Sequence, residues 1–276
     1  MTPAPAAAIA IDRRIEFSAI LALFRLALAR QVRARRILIL AALFALPAAL
    51  AALARRYADG FDARESETVL VLGLYPQALI PLAALLGASG MIRDEVEGQT
   101  LTYLLIRPLP RWSIYLAKLA ATSAVTAALA AVFATATLLA IHAGSADFDA
   151  GAVLARAGKA SALMALTIVA YGAVFGALSL FVKRTLALGV AYIILFEGLL
   201  ANVDFAVRKL TVIYYFRTLC ARWLERSPPD WAIDLSTAPG IARCLATLLI
   251  ASGAITAVAA IAFARREFRV KTPEGD

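Results

Sequence analysis

Apolar positions in this chain fall in long charge-free runs, not in the short alternations of a strand or the narrow stripe of a soluble helix. Residues 37–54 carry no charge between Arg35-Arg36 and Arg55-Arg56. Runs of the same kind cover 69–92, 119–141, 160–182 and 244–264, and 185–203 contains Glu197 as its only charge. A helix crossing the hydrocarbon core needs about 20 mostly apolar residues. The pattern therefore predicts an all-α integral membrane protein with six spans, at about 37–54, 69–92, 114–141, 160–182, 185–203 and 241–264. Only Lys183 and Arg184 separate the fourth span from the fifth, which predicts a tight hairpin. The chain divides into a tail with an interfacial helix (1–36), a single six-helix domain (37–264) and a short tail (265–276).

The segments between the runs are patterned too. Ile15–Ala29 reads as an amphipathic helix lying on the membrane surface, with Arg14, Ser18 and Arg25 on one side and Ile15, Ala22, Leu23 and Leu26 largely opposite. Its apolar stretch Phe17–Phe24 is followed by arginines, the wrong flank for a cleaved signal peptide. Residues 204–243 set Tyr214, Tyr215, Phe216, Leu219, Trp223 and Leu224 among Arg208, Lys209, Arg217, Arg222 and Arg226. Aromatic rings beside arginines suit the headgroup layer, so this segment is expected at the outer surface, touching lipid. Cys220 and Cys244 fall on that side, where a disulfide is chemically allowed, but spacing alone does not bring them within bonding reach.

Composition agrees with the runs: hydrophobic residues make up 62%, charged residues 17%, and the mean hydropathy is +0.79. A soluble domain has roughly 45–50% apolar and 25% charged residues. Charge then orients the spans. With both termini inside, seventeen of the lysines and arginines face the cytoplasm and eleven face out, the sense of the positive-inside rule. The net charge of +9 is accounted for by anionic lipid headgroups, and no nucleic-acid partner is implied.

Catalytic chemistry is sparse. A phosphate-binding loop needs two glycines and a Lys-Ser/Thr pair at fixed spacing, and the nearest approach, Gly158-Lys159, is followed by Ala160. His142 is the only histidine and sits at a span end, where it reads as an interfacial hydrogen-bonding residue and not a zinc ligand. Glu197 is the one ionisable group well inside a predicted span. It reads either as part of a substrate path or as a helix tie, since a mid-membrane charge is costly without a partner. Gln77 lies at a comparable depth in the second span, so the two could meet. Tyr75, Tyr171 and Tyr192 complete the polar groups available to line a path. Pro76 and Pro81 should bend the second span, and Gly172-x-x-x-Gly176 permits close helix approach, within the chain or across a dimer seam.

Residues 93–118, RDEVEGQTLTYLLIRPLPRWSIYLAK, are the most informative stretch. Charges end the second span, Gly98 permits a turn, Thr100 can cap a short helix with Leu101, Leu104 and Leu105 on one side, and Pro108 and Pro110 stop it. Such a helix between two spans could act as a lever or be an ordinary loop helix. The segment resembles the signature of type-2 ATP-binding-cassette export permeases, relatives of the nitrous-oxide-reductase maturation permease. The shared positions are Glu95/Glu97, Gly98, Thr100-Leu101, Leu104-Leu105, Pro108, Arg111 and Lys118, although Gln99 separates a glycine and threonine that many members have adjacent. The six-span layout, surface helix and large last outer loop fit the same family.

The resemblance implies a coupling helix over 93–107 seated on a nucleotide-binding subunit, with Glu95, Glu97, Gly98, Thr100, Leu101, Leu104, Arg107, Pro108 and Arg111 at the contact. It further implies an ABC ATPase partner carrying ATP and Mg, a second permease chain, short outer helices between spans five and six, and a path along spans two and five in a bacterial cytoplasmic membrane. Tyr75, Gln77, Tyr171, Tyr192 and Glu197 are the path candidates. So few polar groups suit a hydrophobic or amphiphilic substrate. A non-transporting scaffold, or a mechanical relay to a periplasmic partner, shares the coupling helix and is the competing reading.

Overall fold

A computed structural model describes residues 13–33, 35–57, 60–91, 110–144, 148–182, 184–200, 206–225, 228, 231, 233 and 235–266. These are helical with short turns, and no strand occurs among them. Five helices are long and apolar enough to cross a membrane. They are α2 (Arg36–Tyr57), α3 (Ala63–Gly90), α4 (Arg111–His142), α5 (Ala150–Phe181) and α8 (Ile241–Arg265). The described residues also include the helices α1 (Arg13–Arg33), α6 (Thr185–Leu199) and α7 (Val212–Trp223).

The centre is the antiparallel pair α4 and α5, each 32 residues and so about 48 Å long at the α-helical rise. Their approach is set by the small residues of α5. A Cβ at Gly172 would come 3.0 Å from Ser123 Oγ, and one at Gly176 would come 2.8 Å from Tyr115 Oη. The glycine pair is therefore spent on packing within the chain. Helices α2 and α3 cover one side of this pair and α8 another. Apolar side chains also cover much of the outside, Leu38 at 70% and Ile250 at 71% exposure among them. That is the surface a lipid-embedded bundle presents and a soluble one avoids.

Helix α3 begins earlier than the charge-free run. Asp62 accepts from the Arg64 N–H at 2.8 Å and caps it, and Glu67 is drawn inside, 3% exposed. From Glu67 to Leu79 the backbone is π-helical, and α-helix resumes at Ile80, just before Pro81. Pro76 lies in the widened stretch. A proline has no N–H and its ring crowds the carbonyl four residues back, so a wider turn relieves both problems.

Of the predicted fifth span, 185–203, helix α6 covers Thr185–Leu199, its second half (Ile193–Leu199) is π-helical, and residues 201–205 lie outside the described residues. Helix α6 seats on the second half of α3, where Gly189 lies directly against Leu85. Short helices do stand between α6 and α8, a 3-10 turn at Ala206–Leu210 and α7. However, α7 is no surface loop: Ile213, Phe216, Arg217, Thr218, Leu219 and Cys220 are all buried, and it packs against α5, α8 and the π-helical part of α3.

Helix α1 forms as expected, and part of its expected apolar face packs on α4. Leu23 is buried and Phe24 half-buried against Ile114 and Tyr115 of α4, whereas Leu26, assigned to the apolar face, is 60% exposed. Apolar residues run all round this helix, so tertiary packing chooses the inner face. Cys220 and Cys244 are both buried and free.

Candidate functional site

Two polar constructions stand out. The first surrounds Glu197, in the π-helical turn of α6 and 2% exposed. Its Oε1 accepts from the Val212 N–H at 3.3 Å and its Oε2 from the Ile213 N–H at 3.1 Å. These are the first amides of α7, which lack intrahelical partners and carry the positive end of the helix dipole. The residue preceding α7, Thr211, gives no side-chain cap, because its hydroxyl donates to the Arg208 carbonyl at 2.7 Å. Glu197 thus caps α7 from across the fold.

Other groups gather around this carboxylate. The Tyr192 hydroxyl donates to Oε1 at 3.5 Å, and the Tyr171 hydroxyl is buried close by. Arg217 of α7, 3% exposed, lies with its guanidinium 5.8 Å over the Trp231 ring. Burial pushes the Arg217 pKa below its ordinary value while the neighbouring Glu197 carboxylate raises it. The arginine stays cationic, as arginines do in proteins, and its charge favours a carboxylate nearby. Tyr171 stacks on Phe175, which meets Tyr192 edge-on, and Tyr192 stacks on Phe196. The arrangement sequesters a charge and pins a helix. With both oxygens engaged it presents no open acid or base.

Three of the five path candidates, Tyr171, Tyr192 and Glu197, are thus brought together. The other two are not. Helices α3 and α6 do touch through their π-helical stretches, but Gln77 faces outward and is exposed. The expected meeting of Gln77 with Glu197 is replaced by the two backbone amides. Tyr75 is fully buried elsewhere, its hydroxyl donating to the Phe44 carbonyl at 3.0 Å and sharing a 3.2 Å bond with Thr137 Oγ1. It joins α2, α3 and α4.

The second construction flanks the proposed lever. Glu95, Glu97, Gly98, Thr100, Leu101, Leu104, Arg107 and Pro108 lie outside the described residues. Its two bases are described. Lys118 Nζ, buried in α4, donates to the Met91 carbonyl at 3.2 Å, at the end of α3. A cation there satisfies a terminal carbonyl and suits the helix dipole. The Arg36 guanidinium fills the space beside Gly90. Arg111 opens α4, exposed, with Nη1 3.5 Å from the Arg266 carbonyl. The ends of α3 and α4 are thereby fastened together beneath the connection they share.

Sequence reasoning missed a third cluster, at the opposite end of the bundle. Glu67 Oε2 lies 3.0 Å from Arg156 Nη1 and 3.6 Å from His142 Nε2, joining α3, α5 and α4. His142 Nδ1 is 3.0 Å from the Leu138 carbonyl, and Arg55 Nη1 donates to the Ile141 carbonyl at 2.9 Å. Glu197 is therefore not the only buried carboxylate. The signal was present in that Glu67, Arg156 and His142 each sit beside a span end on the same predicted side. Among the described residues no cluster of His, Cys, Asp or Glu is arranged to hold a metal.

No curated protein matches this chain. A family profile described as ABC-2 family transporter protein matches residues 31–198, more than half of the chain and reaching from the end of α1 to Glu197 and its neighbour Gly198. With five apolar helices of spanning length, this chain is a multi-pass membrane protein that belongs to the ABC-2 transporter family, a membrane component of an ABC transporter.

Proposed function

We propose that this chain is the permease subunit of an ATP-driven exporter in a bacterial cytoplasmic membrane, moving a hydrophobic or amphiphilic substrate. ATP and Mg are bound on a separate ABC ATPase subunit, consistent with the absence of a phosphate-loop motif in the sequence. Two permease chains pair to form the path, and the lysine- and arginine-rich end bearing Lys118, Arg111 and Arg36 faces the cytoplasm, as the positive-inside rule requires.

The observation that carries this reading is the fastening of α3 to α4 by Lys118 and Met91. A push on the connection between them is transmitted to both helices, and from α3 to α6 through the π-helical contact. The apolar substrate class is supported by the fate of the path candidates: Tyr75 and Glu197 have their polar atoms engaged inside the protein. Their helices offer a transported molecule mostly aliphatic and aromatic surface. Glu95, Glu97, Gly98, Thr100, Leu101, Leu104, Arg107, Pro108 and Arg111 are assigned to the ATPase contact.

The test is co-purification with the ATPase encoded beside this chain, followed by ATPase assays over a panel of lipids and amphiphiles. Stimulation by an amphiphile is expected, and Glu97→Ala or Arg111→Ala should abolish it while the complex still assembles. Failure to bind any such ATPase would overturn the reading.

A further inference from the structure

A groove of about 550 Å³ runs along the outside of the bundle between α4, α5 and α8. Its walls include Trp112, Leu116, Val169, Gly253, Thr256 and Ile261. On α8 the lining residues Leu249, Gly253, Thr256 and Ala260 recur at three- and four-residue steps, so they form one continuous strip. The strip continues one turn beyond Ile261 to Arg265, which is exposed at the end of the helix. Arg111, also exposed, precedes Trp112 at the start of α4 and reaches the Arg266 backbone. Arg265 also borders a second hollow of about 320 Å³, with Leu180, Phe181, Ala262 and Arg266.

The strip is apolar along its length, ends in a half-exposed tryptophan and terminates in cations. An aliphatic chain fits the groove, an amphipathic indole marks the headgroup level, and the exposed Arg265 meets an anion there, its planar fork suiting phosphate oxygens. Arg266 is already engaged, its guanidinium donating to the Leu180 carbonyl, and Arg111 reaches the Arg266 backbone, which leaves Arg265 as the headgroup contact. Small residues keep the groove open: nothing lies within 4 Å of where a Gly253 Cβ would stand.

We propose that this groove is a binding site for an anionic phospholipid of the surrounding bilayer, with an acyl chain along Gly253–Thr256 and the phosphate at Arg265. The site rests on the membrane location of the chain and not on what the chain transports.

The full chain is reconstituted in phosphatidylcholine vesicles containing an equal small fraction of either phosphatidylglycerol or phosphatidylcholine brominated near the headgroup end of one acyl chain. Quenching of Trp112 is taken as the difference between the native chain and Trp112→Phe. The anionic brominated lipid should quench with a preference of roughly fivefold, the effect of one arginine near the surface. Arg265→Gln should cut that preference several-fold, and Gly253→Leu, which fills open space without a clash, should reduce quenching by the anionic lipid. Equal quenching by both lipids would reveal an ordinary lipid shell and overturn the site. No quenching by either would show that protein covers this face and overturn it equally, as would a preference that survives both variants.

Discussion

At the scale of single residues, Glu197 is explained by what its two oxygens accept. A buried donor left without a partner costs about 1–3 kcal/mol, and Glu197→Ala would strand two amides and remove the carboxylate near Arg217. A loss of roughly 3 kcal/mol in stability is expected. Glu197→Gln should fall between, because its carbonyl can replace one oxygen while its NH₂ confronts the other donor. Tyr192→Phe removes only a 3.5 Å bond and should stay within about 0.5 kcal/mol of the parent, since contacts of that length contribute little. Unfolding of the purified protein in detergent orders these variants. A Glu197→Gln protein as stable as the parent would remove the cap from the account.

At the scale of elements, α7 depends on α6. The helix is twelve residues long, too short to persist alone in water, and it is held by burial and by a cap from another helix. Cys220, fully buried on α7 and free, reports on that docking. In a Cys244→Ser background, maleimide labelling of Cys220 should be slow in the parent. It should quicken by about tenfold or more once Glu197→Ala lowers the cost of undocking by upwards of 1.4 kcal/mol. Unchanged labelling would mean that apolar packing alone retains the helix. The π-helical stretches of α3 and α6 meet where the two helices touch, and neither was readable as such. Pro76 signalled a disturbance in α3, but the sequence around Glu197 has no proline to announce one in α6.

At the scale of the whole molecule, α3 is fastened at both ends, by Lys118 to α4 at one and by the Glu67–Arg156 pair to α5 at the other. These fastenings should separate functionally. Lys118→Met keeps the buried stem and removes the cation, so the complex with its ATPase should assemble and hydrolyse ATP while amphiphile stimulation falls several-fold. Glu67→Gln should instead lower stability by about 1–3 kcal/mol, the cost of an unsatisfied buried group, and leave the stimulation ratio intact. Measuring both quantities on both variants checks the division. Equal effects on coupling would show that no end of α3 is special.

The sequence by itself determined that the chain is built from long apolar helices and which family it resembles. Both are written locally, since a charge-free run of spanning length excludes water wherever it sits, and the 93–118 pattern is contiguous. Tertiary structure decided which side of each helix faces inward. That is why Gln77 points out, Leu26 is exposed, and Glu197 finds its partners fifteen and sixteen residues later. A membrane helix is apolar on every side, so its composition carries almost no rotational signal, and packing of small residues and capping of free amides set the rotation instead. The burial of α7 is of the same kind. Its arginines and aromatics match the headgroup layer and a buried polar site equally well, and only the meeting of Glu197 with the start of α7 selects between them.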